Sequence, residues 1–191
     1  MQSLILVKHS LPKIEPQVNA HEWRLSTEGR ARCIPLAEKL AGCDPDFIVS
    51  SLEPKALETA QIVANQLSLP LETETDLHEH ARRTVQFESQ DGFQAAIERF
   101  FQQPEELVFG EETAGQAYRR FSKAIERVRD RHPHLNPLIV AHGTVISLFV
   151  ARKCEIEPYS IWQQLGLPAY ITLSLPELKL LSLMAQVCAQ V

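Results

Sequence analysis

Two histidines follow short apolar runs in equivalent positions of the sequence. The first run, Leu-Ile-Leu-Val, leads into Lys8 and His9, and the second, Leu-Ile-Val-Ala, leads into His142. In open α/β sheets, ligands bind beyond the carboxyl ends of the strands, so we expect both histidines in one pocket. A single histidine after a strand is most often structural. Two in equivalent places, one preceded by a lysine, favour a site for a small anionic substrate.

A third candidate follows the apolar run Phe-Ile-Val. After Ser50 and Ser51, the chain continues Leu-Glu-Pro-Lys, which puts Lys55 near the start of the next predicted helix. Helix N-termini present unpaired N–H groups and the positive end of the helix dipole, and both suit an anion. The alternative is a solvated surface lysine, and this segment alone favours that alternative.

The elements that must position these side chains alternate along the chain. Short apolar runs predict buried strands, and apolar residues at helical spacing predict the helices between them. Strands are predicted at 4–7, 47–50, 71–75, 138–140, 170–175 and 178–183, and helices at 27–41, 54–67, 113–132 and after Gly143. This alternation favours an α/β sandwich with a largely parallel sheet.

Residues 78–110 have a different pattern from the rest of the chain. They contain no strong strand pattern and one amphipathic helix, which carries Phe93, Ile97 and Phe100 or Phe101. Aromatic residues at this spacing more often form core than bind substrate. We interpret the segment as a small cap insertion within one domain that covers residues 1–191.

Composition and charge exclude several classes of protein. The chain has 191 residues with 19 basic and 24 acidic side chains, and its net charge of −5 argues against non-specific binding to nucleic acid. No run approaches the roughly 20 apolar residues of a membrane helix. The N-terminus lacks a basic start followed by a long apolar stretch, so we expect no signal peptide and a cytoplasmic protein.

The motifs together resemble the histidine phosphatase superfamily, also called phosphoglycerate mutase-like. The family opens with Arg-His-Gly and closes with Val-x-His-Gly, and six of its motifs occur here in order between position 4 and about position 150. The matching segments are Lys8-His9-Ser10, Leu25 to Arg30, Ser50 to Ala60, Leu77-His78-Glu79, Gly110 to Thr113 with Arg120, and Val140 to Gly143.

This resemblance implies a three-layer α/β fold with a cap insertion and a phosphatase that needs no metal or other cofactor. By resemblance, His9 attacks phosphorus to form a phosphohistidine, and Glu79 is the general acid that protonates the leaving oxygen. The residues expected to bind the phosphoryl oxygens are Lys8, Ser10, Lys55, His142 and Gly143.

Three positions depart from the family pattern. Lys8 and Lys55 replace arginines, and lysine offers phosphate a point charge on a mobile stem instead of a bidentate fork. Ser10 replaces a glycine that normally allows close backbone approach, although its hydroxyl can donate to phosphate. These departures leave two alternatives open, a slow enzyme and a phosphate-binding relative that has lost turnover.

The candidates for the general acid, and for residues that contact the part of the substrate away from the phosphate, lie in the predicted cap. Glu88 is a second candidate for the acid assigned to Glu79, and Arg82 and Arg83 are candidates for substrate contacts, against the alternative of exposed loop arginines. A histidine on each side of Glu79 suggests zinc. We do not expect a metal site, because no further ligand lies nearby in the sequence.

The sequence thus predicts a phosphatase acting on a small phosphorylated substrate or a phosphopeptide. The first alternative is a phosphate- or phosphopeptide-binding protein with weak or no turnover. A mutase is a weaker alternative, because it needs a longer segment around the acid than this sequence offers. The sequence makes no prediction of the oligomeric state.

Overall fold

The strands and helices of a computed structural model of the chain follow the apolar runs of the sequence. The structure describes residues 2–85 and 89–187. Its strands are β1 (Ser3–Lys8), β2 (Phe47–Ser50), β3 (Leu71–Thr73), β4 (Pro137–Ala141), β5 (Ala169–Ser174) and β6 (Leu180–Met184). Its helices are α1 (Thr27–Ala41), α2 (Pro54–Leu67), α3 (Gln90–Gln102), α4 (Ala114–Arg131), α5 (Gly143–Cys154) and α6 (Pro158–Gln164).

The six strands form one mixed sheet in the order β3-β2-β4-β1-β5-β6. The first four strands in this order are parallel, and β5 and β6 pair antiparallel at one side. Because β1, β2 and β4 are parallel neighbours, their carboxyl ends meet at one edge of the sheet. The predicted fold class, an α/β sandwich with a largely parallel sheet, is confirmed.

Successive side chains of a buried strand point to opposite faces of the sheet, and helices pack against both faces. Ile5 and Val7 of β1 lie in a core cluster with apolar residues of α1 and α2. Leu4 and Leu6 point to the other face, where they pack with residues of α3, α4, α5 and α6. These two clusters give the three layers that the resemblance implies.

The bounds predicted for α1 and α2 match the structure. Ser26 is the N-cap of α1, where its hydroxyl accepts from the Gly29 N–H at 2.9 Å, and Pro54 occupies the first turn of α2. β3 ends at Thr73, two residues before its predicted end. α6 was not predicted, because its seven residues are too short for a clear helical period.

The segment 78–110 contains α3, whose N-cap is Ser89. Ile97 and Phe100 are fully buried in the core cluster, so the aromatic stripe of α3 is mainly core. Phe93 is half-buried and packs edge-on against Trp162 of α6, with 6.0 Å between the ring centroids. The role of this segment as a cap stays a prediction. No helix in the described part of the chain is long and apolar enough to cross a membrane.

α1 packs very closely against the chain that follows His9. A Cβ atom at Gly29 would overlap the carbonyl oxygen of Leu11, so this contact requires glycine. The Gly29 carbonyl in turn accepts a hydrogen bond from the hydroxyl of Ser10 at 2.7 Å. Gly29 therefore holds the loop that carries His9 in place.

We expect Gly29→Ala to destabilise the protein by about 1–3 kcal/mol, since the added methyl group overpacks against backbone. The midpoint of urea unfolding measures this loss. Gly42→Ala is the matched control at the other end of α1, where the nearest atom to an added Cβ, the Lys39 carbonyl oxygen, lies 3.4 Å away. Equal stability of the two variants would contradict the close contact at Leu11.

Candidate active site

The structure brings the two predicted histidines together. His9 follows β1 and His142 follows β4, and the backbone N–H of His9 donates to the Ala141 carbonyl at 3.1 Å. The two imidazole rings lie edge to face, with centroids 5.2 Å apart. Both side chains are buried at the carboxyl edge of the sheet.

The ring of His9 is held in one orientation by its neighbour. Its Nδ1 lies 2.8 Å from the Ser10 carbonyl oxygen, which fixes the proton on Nδ1 and leaves the lone pair on Nε2. Burial first, and then electrostatic interaction with His142 and Lys55, lower the pKa of His9 well below its usual value. The ring is therefore neutral at physiological pH, which is the state a nucleophilic imidazole requires.

Ser10 lies beside the nucleophile candidate, but its donors point into the protein. Its backbone N–H donates to the Thr59 hydroxyl at 3.0 Å, and its own hydroxyl donates to the Gly29 carbonyl at 2.7 Å. The Thr59 hydroxyl donates in turn to the Lys55 carbonyl at 2.7 Å. In this arrangement Ser10 fixes the loop of His9 and has no donor available for phosphate.

Lys8 extends along the start of α5. Its Nζ donates to the carbonyl of Leu165 at 2.5 Å. A Cβ at Gly143 would lie 3.1 Å from the Lys8 Cε, so the glycine leaves the space that this side chain occupies. Burial lowers the pKa of Lys8 to about 8, although the nearby charge of Glu79 opposes the shift.

Lys55 lies in the first turn of α2 and is almost completely buried. Its Nζ donates to the Ala20 carbonyl at 2.6 Å and to Oε2 of Glu53 at 2.5 Å. The other oxygen of Glu53, Oε1, accepts from the Glu79 N–H at 2.9 Å and lies 3.7 Å from Nε2 of His142. The structure therefore places a carboxylate that the sequence did not single out among three predicted site residues.

His142 precedes α5 as its N-cap residue and is fully buried. Its Nε2 lies 2.9 Å from the hydroxyl of Ser51, and within residues 2–85 and 89–187 no hydrogen-bond partner exists for its Nδ1. Burial, followed by the charge of Lys55, lowers the pKa of His142 well below its usual value. A neutral ring that accepts from Ser51 at Nε2 presents an N–H at Nδ1.

Glu79 lies between a loop and the N-terminus of α5. Its carboxylate accepts from the His80 N–H at 2.8 Å and from the Thr144 N–H at 3.2 Å. Burial alone would raise the pKa of Glu79, but the charge of Arg82, the electrostatic interaction with His142 and the hydrogen bond from His80 together lower it to about 2. Without substrate, Glu79 is therefore ionised at neutral pH.

The segment that carries Glu79 is held by Arg120 of α4. This guanidinium donates to the Asp76 carbonyl at 2.7 Å, to the His78 carbonyl at 2.9 Å and to the Glu79 carbonyl at 3.2 Å. It is itself paired with Glu112 at 2.6 Å. The motif residues around Glu112 and Arg120 thus position the predicted acid from a distant part of the chain.

The remaining candidates divide between the site and the surface. Arg82 lies over the ring of Phe93 at 4.9 Å, and its Nη1 is buried with no hydrogen-bond partner among the described residues. The charge of Arg82 also lowers the pKa of Glu79. Arg83 is exposed, and its backbone N–H donates to Glu111. Glu88 lies outside the described residues.

His80 is a packing residue in this structure. Its ring lies against Phe100 and Phe109, with centroids 4.2 and 4.8 Å apart, and its Nε2 lies 3.0 Å from the Glu112 carbonyl oxygen. Among the residues that the structure describes, no cluster of three or more His, Cys, Asp or Glu side chains could hold a metal ion.

A family model described as the histidine phosphatase superfamily (branch 1) matches residues 4–177. A search of curated protein sequences returned no significant match.

Solved structures with the same fold include several phosphatases. A phosphoserine phosphatase from Entamoeba histolytica in complex with 3-phosphoglyceric acid has a TM-score of 0.78 at 19% identity, over 97% of this chain and 98% of that one. A mycobacterial glucosyl-3-phosphoglycerate phosphatase in complex with inorganic phosphate has a TM-score of 0.75 at 19% identity, over 100% and 98%. The Bacillus stearothermophilus protein YhfR has a TM-score of 0.72 at 22% identity, over 95% of each chain.

We expect sulfate binding at this site to weaken as the pH rises through about 8, because Lys8 loses its charge there. Loss of one charged hydrogen bond corresponds to about tenfold weaker binding. Sulfate is the probe because its own charge stays constant, and isothermal titration calorimetry measures its affinity across the pH range.

Lys8→Arg should remove this decline, because arginine keeps its charge at alkaline pH. Lys13→Arg is the control at an exposed lysine, and it should keep the pH dependence of the wild type. An identical alkaline decline in Lys8→Arg would assign the titration to another group.

Proposed function

Because the chain belongs to the histidine phosphatase superfamily, as its motifs predict, we propose that it hydrolyses phosphomonoesters at the site of His9 and His142. The observation that carries this proposal is the hydrogen bond from His9 Nδ1 to the Ser10 carbonyl, combined with a ring that is neutral at physiological pH. Together they prepare Nε2 of His9 for attack on phosphorus.

The proposed reaction has two steps. In the first, the lone pair on Nε2 of His9 forms a bond to phosphorus, and the bond from phosphorus to the ester oxygen breaks with its electrons on oxygen. Protonated Glu79 supplies a proton to this oxygen, so that an alcohol leaves. In the second, water attacks phosphorus, Glu79 accepts its proton, and the N–P bond breaks to release phosphate and neutral His9.

The phosphoryl oxygens would be bound by several donors. Lys8 and Lys55 would supply charge. Nδ1 of His142, which has no partner among the described residues, would supply an N–H in the tautomer whose Nε2 accepts from Ser51. The N-terminus of α5 at Gly143 would supply the positive end of its dipole. We assign Ser10 a positioning role, because its donors are already used within the protein. Arg82 is the proposed contact to the substrate beside the reacting phosphate, and nothing in the structure supports that role for the exposed Arg83.

The state of Glu79 depends on the substrate. Its pKa is about 2 in the structure, and a dianionic phosphoryl group nearby would raise it, because like charges disfavour ionisation. Substrate binding would therefore favour the protonated form of Glu79, which is the form that the first step requires. After the alcohol leaves, the ionised form is the base that the second step needs.

We also propose that hydrolysis requires no metal ion. Phosphoryl transfer depends on positioning and on positive charge at the phosphoryl oxygens, and in this site Lys8, Lys55 and Arg82 would supply that charge. Hydrolysis should accordingly persist in EDTA.

The proposed substrates are small phosphorylated molecules. The Entamoeba histolytica phosphatase with the same fold is described with 3-phosphoglyceric acid, and a histidine-to-alanine mutant of that enzyme with phosphoserine. We extend this class of substrate to the present chain, whose site offers cations at buried positions. A phosphopeptide is the larger substrate that this chemistry also admits.

A phosphate-binding protein with little turnover is the second candidate. The observation that favours it is that both lysines already have partners, Lys8 at the Leu165 carbonyl and Lys55 at the Ala20 carbonyl and Glu53. Lysines held in this way bind phosphate as point charges and lack the bidentate geometry of arginine.

The main test is hydrolysis of p-nitrophenyl phosphate, with and without EDTA, by the wild type, His9→Ala and His134→Ala. His9→Ala should lose activity to background, since it removes the imidazole that attacks phosphorus, while the exposed control His134→Ala should keep it. Acid-quenched wild type should carry phosphate label from radioactive substrate, and His9→Ala should not.

Saturable phosphate binding by the wild type without turnover or label would contradict the enzyme and support the binding protein. Activity that disappears in EDTA and returns with a divalent cation would contradict metal independence alone.

The role of Glu79 predicts a dependence on the leaving group. Glu79→Gln should slow hydrolysis of an alkyl phosphate by about a hundredfold or more, because the alkoxide needs a proton as it leaves. The phosphorylation step with p-nitrophenyl phosphate should change much less, since nitrophenolate leaves without one. Single-turnover kinetics of the wild type and Glu79→Gln gives the loss in phosphorylation rate for each of the two substrates. Equal losses for the two substrates would assign the acid to another residue.

A further inference from the structure

Glu53 is a buried acid at the centre of the site to which the proposed mechanism gives no task. Its side chain is only 9% exposed, and its two oxygens have separate partners. Oε2 binds the Lys55 ammonium at 2.5 Å, and Oε1 accepts from the Glu79 N–H at 2.9 Å. Since Oε1 also lies 3.7 Å from Nε2 of His142, one carboxylate contacts or adjoins three residues of the proposed machinery.

The contact with Lys55 competes with the proposed ligand. An ammonium group has three hydrogens, and here the Ala20 carbonyl and Glu53 each accept from Lys55, so one hydrogen is left for a phosphoryl oxygen. A dianion that approaches Lys55 also approaches the negative charge of Glu53. Two anions that both contact one ammonium group lie close together, and in a buried site they repel strongly. Glu53 and the phosphoryl group therefore cannot both keep short contacts with Lys55 at low cost in free energy.

We propose that Glu53 is an internal counter-anion that holds Lys55 in the empty site, and that a phosphoryl group binds by replacing it on the ammonium. This inference rests on the proposed phosphate site and adds a positioning residue to it. Without substrate, Glu53 neutralises a buried cation that would otherwise be costly to keep in the fold. With substrate, its repulsion limits affinity for phosphate and therefore favours release of the product.

The second contact of Glu53 connects the two halves of the site. Because Oε1 accepts from the backbone N–H of Glu79, the position of Glu53 also affects the segment that carries the proposed acid. Glutamine at position 53 keeps an oxygen acceptor for this N–H and removes the negative charge. Glu53→Gln thus separates the effect of charge from the effect of the backbone contact, which Glu53→Ala would remove as well.

The test is the affinity for inorganic phosphate, measured by calorimetry at low ionic strength. Glu53→Gln should bind phosphate at least about tenfold more tightly than the wild type, since the like charge is gone. Phosphate should become a correspondingly stronger product inhibitor, with kcat reduced by slower release. Glu58→Gln is the matched control on the same helix, where the carboxylate pairs with Arg24 and Arg30, and its affinity should equal that of the wild type.

A double mutant tests whether the gain in phosphate affinity depends on Lys55. In a Lys55→Met background, replacing Glu53 by glutamine should change phosphate affinity much less than it does alone, because the cation for which the two anions compete is absent. Equal or weaker phosphate binding by folded Glu53→Gln would overturn the proposal, and so would a gain of the same size in both backgrounds.

A wild-type measurement covers the case in which Glu53→Gln does not fold. A crystal structure of the wild type with inorganic phosphate should show a phosphate oxygen on Lys55 Nζ and a longer distance from Nζ to Glu53 Oε2. Phosphate bound with the Glu53 contact unchanged would overturn the counter-anion role while leaving the phosphatase proposal intact. Absence of phosphate binding by every variant and by the wild type would contradict the proposed site itself.

Discussion

The parallel pairing of β1 with β4 is the constraint on which the site depends. Val7 lies opposite Val140, so the two strands end together and deliver His9 and His142 to the same edge of the sheet. The backbone bond from His9 N–H to the Ala141 carbonyl continues this pairing past the strand end. The 5.2 Å separation of the two rings is therefore set by a ladder of backbone hydrogen bonds and not by mobile side chains. A register shift of one residue would turn one histidine to the other face.

Burial of charge is the second constraint, and it follows from the first. A site at a buried sheet edge removes its ionised groups from water, which is costly unless each finds a partner. Lys55 has Glu53, Glu79 has two backbone N–H groups, and the largely desolvated Lys8 has a carbonyl and a lowered pKa. The charges of these side chains are thus nearly balanced within the protein. A phosphate dianion at the proposed site would change this balance.

Much of this arrangement could be predicted from the sequence, because its main elements depend on local patterns. The bounds of α1 and α2 followed from an N-cap serine, a first-turn proline and helical spacing, and the histidines followed from apolar runs whose ends are clear. The partners of the lysines could not be predicted in this way. Lys8 donates to Leu165, 157 residues along the chain, at the end of the short helix α6. Glu53 matters because it meets the Glu79 N–H, and nothing in its immediate sequence indicates that contact.

The same long-range contacts explain how lysines can stand where the family pattern has arginines. Arginine brings its own planar fork to phosphate, whereas a lysine ammonium must be aimed by its surroundings. Here the Leu165 and Ala20 carbonyls accept from the two ammonium groups, and Gly143 leaves room for the side chain of Lys8. At Lys55, the carboxylate of Glu53 is a further partner of the ammonium. Two backbone carbonyls and one buried carboxylate thus hold the two ammonium groups in place. At the proposed site, phosphate would have to compete with these groups of the protein itself.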